Sequence, residues 1–397
     1  MREGWEIKTI GDICFVGGGS TPRRTEKAFW ENGTYPWFSI DDIRDQGRII
    51  TETKQKITKL AWSKMRVFPA NSVLLCCTAS VGEYALSTIP ITSNQQFNGL
   101  TIKDHKQMLP MYLFYFCSTL KPVLQGLSGR ATIDFVSSEK VRQIRIPFPS
   151  LPEQQRIVAI LDREFAKIDA LKANAEKSLQ AAKDLYAEML NTSLSSQKGW
   201  KTKTLDEVCS KISDGTHHSP PNTPSGEYKY ITAKNIKPWG LDLTDLTFVS
   251  KDIHQEIYSR CNPKKGDVLY IKDGATTGIA IVNPLEEEFS LLSSVALLKP
   301  IPTEITSRYL CYAMNSPRMY AFVRERMDGA AITRITLKKI KAFPVSYPAI
   351  NEQNAIVSRL DDLNERCNAL HENYQKTLTL CDDLKQSLLR KAFNGEL

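Results

Sequence analysis

Loops rich in glycine, hydroxyl groups and arginine hold the side chains of this 397-residue chain best suited to chemistry, and they recur at matched places in its two halves. Gly19-Ser20-Thr21-Pro22-Arg23-Arg24 answers Asp214-Gly215-Thr216-His217-His218-Ser219-Pro220-Pro221. Thr78-Ala79-Ser80-Val81-Gly82 answers Gly274-Ala275-Thr276-Thr277-Gly278, and Gly129-Arg130-Ala131-Thr132 answers residues 329–334. Glycine lets backbone approach a ligand closely, hydroxyls and amides grip oxygen acceptors, and an arginine fork fits guanine or phosphate. That pattern points to nucleic acid. The candidate DNA-binding residues are Ser20, Thr21, Arg23, Arg24, Thr78, Ser80, Arg130 and Thr132 in the first half, and Thr216, His217, Lys234, Asn235, Lys272, Thr276, Thr277, Thr333 and Arg334 in the second.

Catalytic constellations are not found. Phe15-x-Gly17-x-Gly19 has the spacing that opens many S-adenosylmethionine sites, but it lacks a suitably placed acidic residue downstream, and no Asn-Pro-Pro-Phe/Tyr or Asp-Pro-Pro-Tyr element accompanies it. It reads as a turn. No GxxxxGK[ST] loop is present, so nucleotide hydrolysis has no support. His217-His218 sits in a polar loop without matched ligands nearby, which argues against zinc.

These loops need a frame, and the frame is written twice. Gly4-Trp5 recurs as Gly199-Trp200, Val73-Leu74 as Val268-Leu269, Tyr112-Leu113 as Tyr309-Leu310, and Pro149-x3-Glu153-Gln154 as Pro348-x3-Glu352-Gln353. Each copy reads as a mixed α/β module followed by a long helix: residues 1–150 and 199–348 for the modules, 151–198 for a central helix, and 349–397 for a distal helix with the tail. Strands are expected at 49–50, 73–78, 99–102 and 144–148, with a helix at 111–125. The second module repeats this with strands at 267–272 and 295–299 and a helix at 307–327.

Along the central helix, steps of four and three from position 157 meet Ile157, Leu161, Glu164, Ile168, Leu171, Ala175, Ser178, Ala182, Leu185 and Met189. Adding 199 gives Ile356, Leu360, Leu363, Cys367, Leu370, Tyr374, Thr377, Cys381, Leu384 and Leu388. A period of 3.5 predicts a coiled-coil seam, with the two helices antiparallel. Packing of each helix on its own module, or pairing between molecules, would use the same stripe. A seam on this register leaves Lys167, Lys172, Glu176, Lys183 and Glu188, and Arg366, Glu372, Lys376 and Lys385, facing outward.

Charge separates the parts. The first module holds 19 Lys/Arg against 13 Asp/Glu and the second 20 against 16, whereas 151–198 balance at 7 and 7 and 349–397 carry 6 against 8. A polyanion is expected at the modules and protein at the helices. No stretch approaches the roughly 18 apolar residues of a membrane span, and the first residues read as no leader, so a cytoplasmic location is expected. Nine cysteines without a CxxC pair read as reduced, buried side chains and not as metal ligands.

Gly18-Gly19-Ser20-Thr21-Pro22, Pro36-Trp37-Phe38-Ser39-Ile40-Asp41-Asp42-Ile43, Asn94-Gln95-Gln96 and Glu153-Gln154-x-Arg156-Ile157-Val158, in that order, resemble the DNA specificity subunits of type I restriction-modification systems. The second half matches through Ile212-Ser213-Asp214-Gly215-Thr216-His217, Ile231-Thr232-Ala233-Lys234-Asn235-Ile236 and the ending Leu388-Leu389-Arg390-Lys391-Ala392-Phe393-Asn394-Gly395-Glu396-Leu397. The resemblance implies two target-recognition domains, each reading one half of a gapped DNA site, and an antiparallel coiled coil that sets the spacer. It also implies two methyltransferase subunits, which bring S-adenosylmethionine, and restriction subunits, which bring ATP-driven translocation with Mg. No cofactor and no metal is then expected in this chain. A stand-alone methyltransferase or endonuclease, and a coiled-coil scaffold binding protein only, are the readings this one competes with.

Overall fold

The computed structural model describes residues 3–128, 135–327 and 334–397. The chain forms two compact units, Met1–Ala175 with Lys376–Leu397, and Glu176–Gln375. Each long helix, Leu151–Ser193 and Ile350–Asn394, therefore contributes residues to both units. Modules and helices are not four consecutive bodies, because a module's core is completed by pieces of both helices.

In the first unit a five-stranded sheet runs in the order Cys14–Gly18, Phe97–Ile102, Ser72–Cys76, Tyr84–Ser87, Ile49–Ile50, antiparallel except for the last pair. A smaller sheet sets Tyr35–Phe38 between Gln55–Ile57 and Thr92–Ser93. The second unit repeats the plan with Cys209–Asp214, Val295–Pro300, Val268–Ile271 and Ala280–Val282, and with Tyr228–Ile231 between Thr247–Val249 and Phe289–Leu291. Each module is closed by an antiparallel pair joining its start to its end, Glu6–Thr9 with Arg145–Phe148 and Lys201–Thr204 with Pro344–Tyr347. The expected helices at 111–125 and 307–327 are each two helices, Pro110–Cys117 with Lys121–Leu127 and Ser307–Asn315 with Pro317–Arg324. Pro122 and Pro317 lie at the starts of the second members, where a missing N–H costs nothing, and neither fits the interior of one long helix.

The duplicated sequence signs are duplicated bonds. The buried Gln154 amide accepts from the Leu109 N–H (2.9 Å) and donates to the carbonyls of Gln107 and Pro149 (2.9 and 3.0 Å). Gln353 does the same with Thr306, Glu304 and Pro348 (2.9, 2.8 and 2.9 Å). Tyr112 and Tyr309 donate to the carbonyls of Pro147 and Ser346 (3.0 and 2.9 Å), while Tyr115 and Tyr312 donate to Asp162 and Asp361 on the helices. Burial pushes all four phenols up, so they stay neutral donors.

Within the first unit Ile157, Leu161, Leu389 and Ala392 join the module's core, with Phe393 set edge-on to Tyr112 and Phe116. Lys172–Asp382 (3.1 Å) and Lys385–Asp169 cross between the two helices, fixing an antiparallel register. Lys172 and Lys385 thus do not point outward as the 3.5-residue stripe requires. In the second unit Leu190, Ile356, Val357 and Leu360 occupy the corresponding core positions. The two helices pack together as a coiled coil in each unit.

Beside the 7-residue spacing of Leu161, Ile168 and Ala175 runs an 11-residue series, Ile157, Ile168, Leu179 and Leu190, all buried. Their counterparts are Ile356, Cys367, Leu378 and Leu389, of which the first and last are buried and the middle two half-buried. Eleven residues give 3.67 per turn, slightly above the natural 3.6, a period that leans to a right-handed wind where a strict heptad would force a left-handed one. The difference accumulates along the helix. Ala175, Cys381, Ile157, Leu161, Ile168, Ile356 and Leu360 are buried, and Ala182, Leu363, Cys367, Tyr374 and Leu388 half-buried, but Leu171, Leu185, Met189, Leu370 and Leu384 are exposed.

Leu179 is 9% exposed and Leu185 58%, so the two residues distinguish the registers. Leu179→Ala is expected to cost about 2–5 kcal/mol in chemical denaturation, and Leu185→Ala less than about 0.5 kcal/mol in the isolated chain. The reverse order would restore the heptad.

Candidate nucleic-acid interface

In the first unit the loop after Cys14–Gly18 is pinned to the smaller sheet. A Cβ on Gly19 would stand 2.3 Å from the Ser93 carbonyl oxygen, so only glycine lets the chain pass. The Ser20 N–H donates to that carbonyl (2.8 Å), and the Ser20 carbonyl accepts from Trp37 Nε1 (3.2 Å). Thr21 donates to Gln95 Oε1 (2.6 Å), and Trp30 Nε1 donates to the Arg23 carbonyl (3.1 Å). The Arg24 guanidinium lies over the rings of Trp30 and Trp37, at 4.0 and 4.6 Å, and donates to Gln55 (2.7 Å). Two exposed arginines are thereby carried on a stiff strap, Arg24 with its plane set by aromatic rings.

The second unit builds the same strap on different chemistry. Gly215 passes the Leu291 carbonyl, which a Cβ would overlap at 1.7 Å, and Thr216 bonds back to Leu291 and Ser293 (2.9 and 2.8 Å). Before it stands Asp214, buried, accepting from Arg260 Nη2 (2.6 Å). The same Nη2 donates to His217 Nε2 (2.9 Å), since a guanidinium has no acceptor. Lys272, also buried, lies 3.6 Å from Asp214 and 2.8 Å from Asp273, and Asp273 Oδ1 faces Arg334 Nε at 3.4 Å. Two carboxylates and one ammonium inside, with Arg260 and Arg334 on the rim and His217 accepting from Arg260, make a continuous polar cluster.

Type I restriction modification DNA specificity domains match residues 2–181 and 197–380, one for each half of the repeat. The chain belongs to that specificity family. A specificity subunit of the MjaIX enzyme of Methanocaldococcus jannaschii is 25% identical over 99% of this chain and 93% of its own length. The EcoKI specificity subunit of Escherichia coli is 22% identical over 100% and 90%. Among solved structures, a chain from a study of assembly and conformational transition of the type I R-M system superposes with a TM-score of 0.82 at 20% identity, covering 100% of this chain and 99% of that one. The HsdS subunit from Thermoanaerobacter tengcongensis gives 0.60 at 20% identity, covering 100% and 98%. These two likenesses establish the fold.

The specificity-family fold sorts the candidate residues. Ser20, Arg23, Arg24, His217, Lys234, Thr276 and Arg334 are exposed, and Thr21, Thr78, Ser80 and Thr216 are half-buried, on or beside the loops. Three others face inward. Asn235 is buried with its amide spent on Thr232, Asp242 and Asp245, a capping role that Asp42 fills in the first unit through Ser39 and Lys54. Thr277 is buried, its hydroxyl donated to the Gly274 carbonyl (2.7 Å), and Lys272 is enclosed by its two aspartates. A polar residue in a Gly-rich stretch serves the turn as readily as a ligand, and the sequence alone does not separate the two. Arg130, Thr132 and Thr333 lie outside the described residues. Sequence reasoning passed over Arg260, 46 residues from Asp214, and Trp239, exposed in the short turn between Ile236–Lys237 and Gly240–Leu241. A three-residue group of His, Cys, Asp or Glu fit to hold a metal is not found among the described residues.

Lys272 balances two enclosed carboxylates, and removing one partner of a buried ion pair leaves uncompensated charge. Lys272→Ala is expected to cost about 3–5 kcal/mol of stability by chemical denaturation. A loss below about 1 kcal/mol would mean that water reaches Asp214 and Asp273 without it.

Proposed function

We propose that this chain is the DNA-reading subunit of a type I restriction-modification complex, in which each unit recognises one half of a gapped double-stranded target. The observation that carries the reading is the duplication itself: two basic modules on one scaffold, each carrying glycine- and hydroxyl-rich loops at matched places, within a chain of the specificity family. The long helices, each continuous through both units, set the separation of the half-sites. The chain works without a catalytic group or cofactor of its own, in the cytoplasm. Two methyltransferase subunits bring S-adenosylmethionine, and restriction subunits bring ATP and Mg.

Exposed leucines support the docking part of this reading. The register of Lys172–Asp382 places Leu171 level with Leu384 in the first unit. In the second, Leu370 and Leu185 hold the positions that Leu171 and Leu384 hold in the first, by the 199-residue repeat, and both are exposed. Leu171 and Leu370 are 199 residues apart, as are Leu185 and Leu384. Each unit therefore offers an equivalent apolar pair, suited to two copies of one partner.

Replacing residues 1–150 by the corresponding module of another family member, in the complex with its methyltransferase subunits, is expected to change one half of the methylated motif and leave the other. A change in both halves, or methyl transfer by the purified chain alone, would overturn the reading. Inserting four residues after Ala175 adds about 6 Å of helix and is expected to alter the spacer by roughly two base pairs. An unchanged spacer would remove the helices as the ruler.

A further inference from the structure

The two units of one chain can be compared residue by residue, because a subunit reading two different half-sites needs a common scaffold and a divergent reading point. The scaffold match is close around one bridge. In the first unit the residue after Ser72–Cys76, Cys77, takes an N–H bond to the Gln96 carbonyl (2.8 Å) and gives its own carbonyl to the Val136 N–H (2.9 Å), and Thr78 bridges Phe135. In the second, Lys272 after Val268–Ile271 bonds to the Ser294 carbonyl (2.9 Å) and accepts from the Ile335 N–H (2.9 Å), and Asp273 bridges Arg334. Backbone partners and register agree.

The side chains on this shared backbone do not. Gly18, Cys77, Thr78 and Phe135 stand where the second unit has Asp214, Lys272, Asp273 and Arg334. Burial pushes the Cys77 thiol up to about 11, so the first position is neutral, whereas its counterpart is an ammonium between two carboxylates. Phe135 is 57% exposed and leads with an apolar ring. Arg334 is 68% exposed, with its Nε edge held toward Asp273. Enclosing Asp214, Lys272 and Asp273 carries a desolvation cost that a neutral set avoids, as the first unit demonstrates on the same backbone. What the charged set adds is a carboxylate 3.4 Å from the Nε edge of an exposed guanidinium.

We infer that this bridge position is the point at which each unit reads a base, with Arg334 taking a guanine through its fork and Phe135 taking a thymine methyl. Arginine pairs two donors with the O6 and N7 acceptors of guanine in the major groove, and an aromatic ring offers thymine only an apolar contact. The two half-sites then differ at equivalent places because the bridge residues differ, while the Gly19 and Gly215 straps, which share a backbone path in both units, hold the DNA backbone. The inference rests on the DNA-reading function proposed above and deepens it to particular residues.

The test uses the complex assembled with its methyltransferase subunits and reads the methylated motif by single-molecule sequencing, alongside affinity for single-base target variants. The half-site assigned by module exchange to the second unit is expected to contain a guanine whose preference is lost in both Arg334→Ala and Arg334→Lys, with affinity for the cognate target down about ten- to hundredfold and the other half-site unchanged. Phe135→Ala is expected to relax a thymine in the first half-site alone. Arg334→Lys keeps the charge, so a variant that binds and discriminates like the parent overturns base reading by the fork. A uniform loss across all targets with the salt slope reduced by about one makes Arg334 a phosphate contact and overturns the inference as well. Should the parent complex show no bipartite motif, the proposed function fails first. A parent that reads two halves while both variants read the same sequence sinks only this inference.

Discussion

Neither module can close its own core. The apolar faces around Tyr112 and Phe116 need Leu389, Ala392 and Phe393 from the distal helix, and those around Tyr309 and Met314 need Leu190 from the central one. Each helix must therefore be long enough to start against one module and finish in the core of the other unit, and the two must run antiparallel to do so. Burial of this kind, at about 25 cal/mol per Å2 of apolar surface, dominates every other contribution to the arrangement. The ion pairs that join the helices at Lys172–Asp382 and Lys385–Asp169 are on the surface and select register more than they add stability.

That dependence explains why a polar residue repeated at both helix starts is a buried glutamine. Gln154 and Gln353 sit at the first turn of each helix and satisfy three backbone groups apiece, so they hold the angle at which the helix leaves its module. The neighbouring acids do less: Glu153 pairs with Arg156 near the surface, and Glu352 accepts from Trp200 (3.3 Å). A buried amide left without partners would cost far more than an exposed ion pair returns. The Glu-Gln pair that marks each helix start in sequence is a joint and not a site.

The duplication and the long helices were legible because they rest on recurring residue types at fixed offsets. The register of the helix stripe was less so. A step of 3.5 and a step of 3.67 agree through Ile157, Leu161 and Ile168 and part only by Leu179, where leucines at both 179 and 185 satisfy a hydrophobic count. The short strands of the smaller sheets, such as Thr92–Ser93 and Gln55–Ile57, have too few residues to show an alternation. Among the candidate DNA contacts, Asn235, Lys272 and Thr277 were misplaced for one reason: side chains that cap turns or fill charged interiors have the same composition as side chains that meet a phosphate. Arg260 was invisible because its partner Asp214 is distant in sequence.

A scaffold fixed by buried amides, glycines and aromatic contacts frees the positions at its rim to differ. Gly19 and Gly215 cannot change without moving a strand, since each passes within contact distance of a carbonyl. At Gly18, the residue before Gly19, an added Cβ would meet nothing nearer than Asn98 Oδ1 at 3.8 Å, and the second unit places an aspartate there. The charged interior around that aspartate need not stabilise the unit to be retained, because a neutral set on the same backbone serves the first unit's core. Its consequence is positional: an enclosed carboxylate whose Oδ1 has no hydrogen bond among the described residues holds Arg334 within 3.4 Å. A long, flexible side chain loses rotamer freedom when it is held, and that entropy is spent before DNA arrives instead of on binding. Rigid recognition at the rim and tolerance of substitution there are thus two results of one division, in which the core and helix joints carry the stability and the bridge residues carry the difference between the halves.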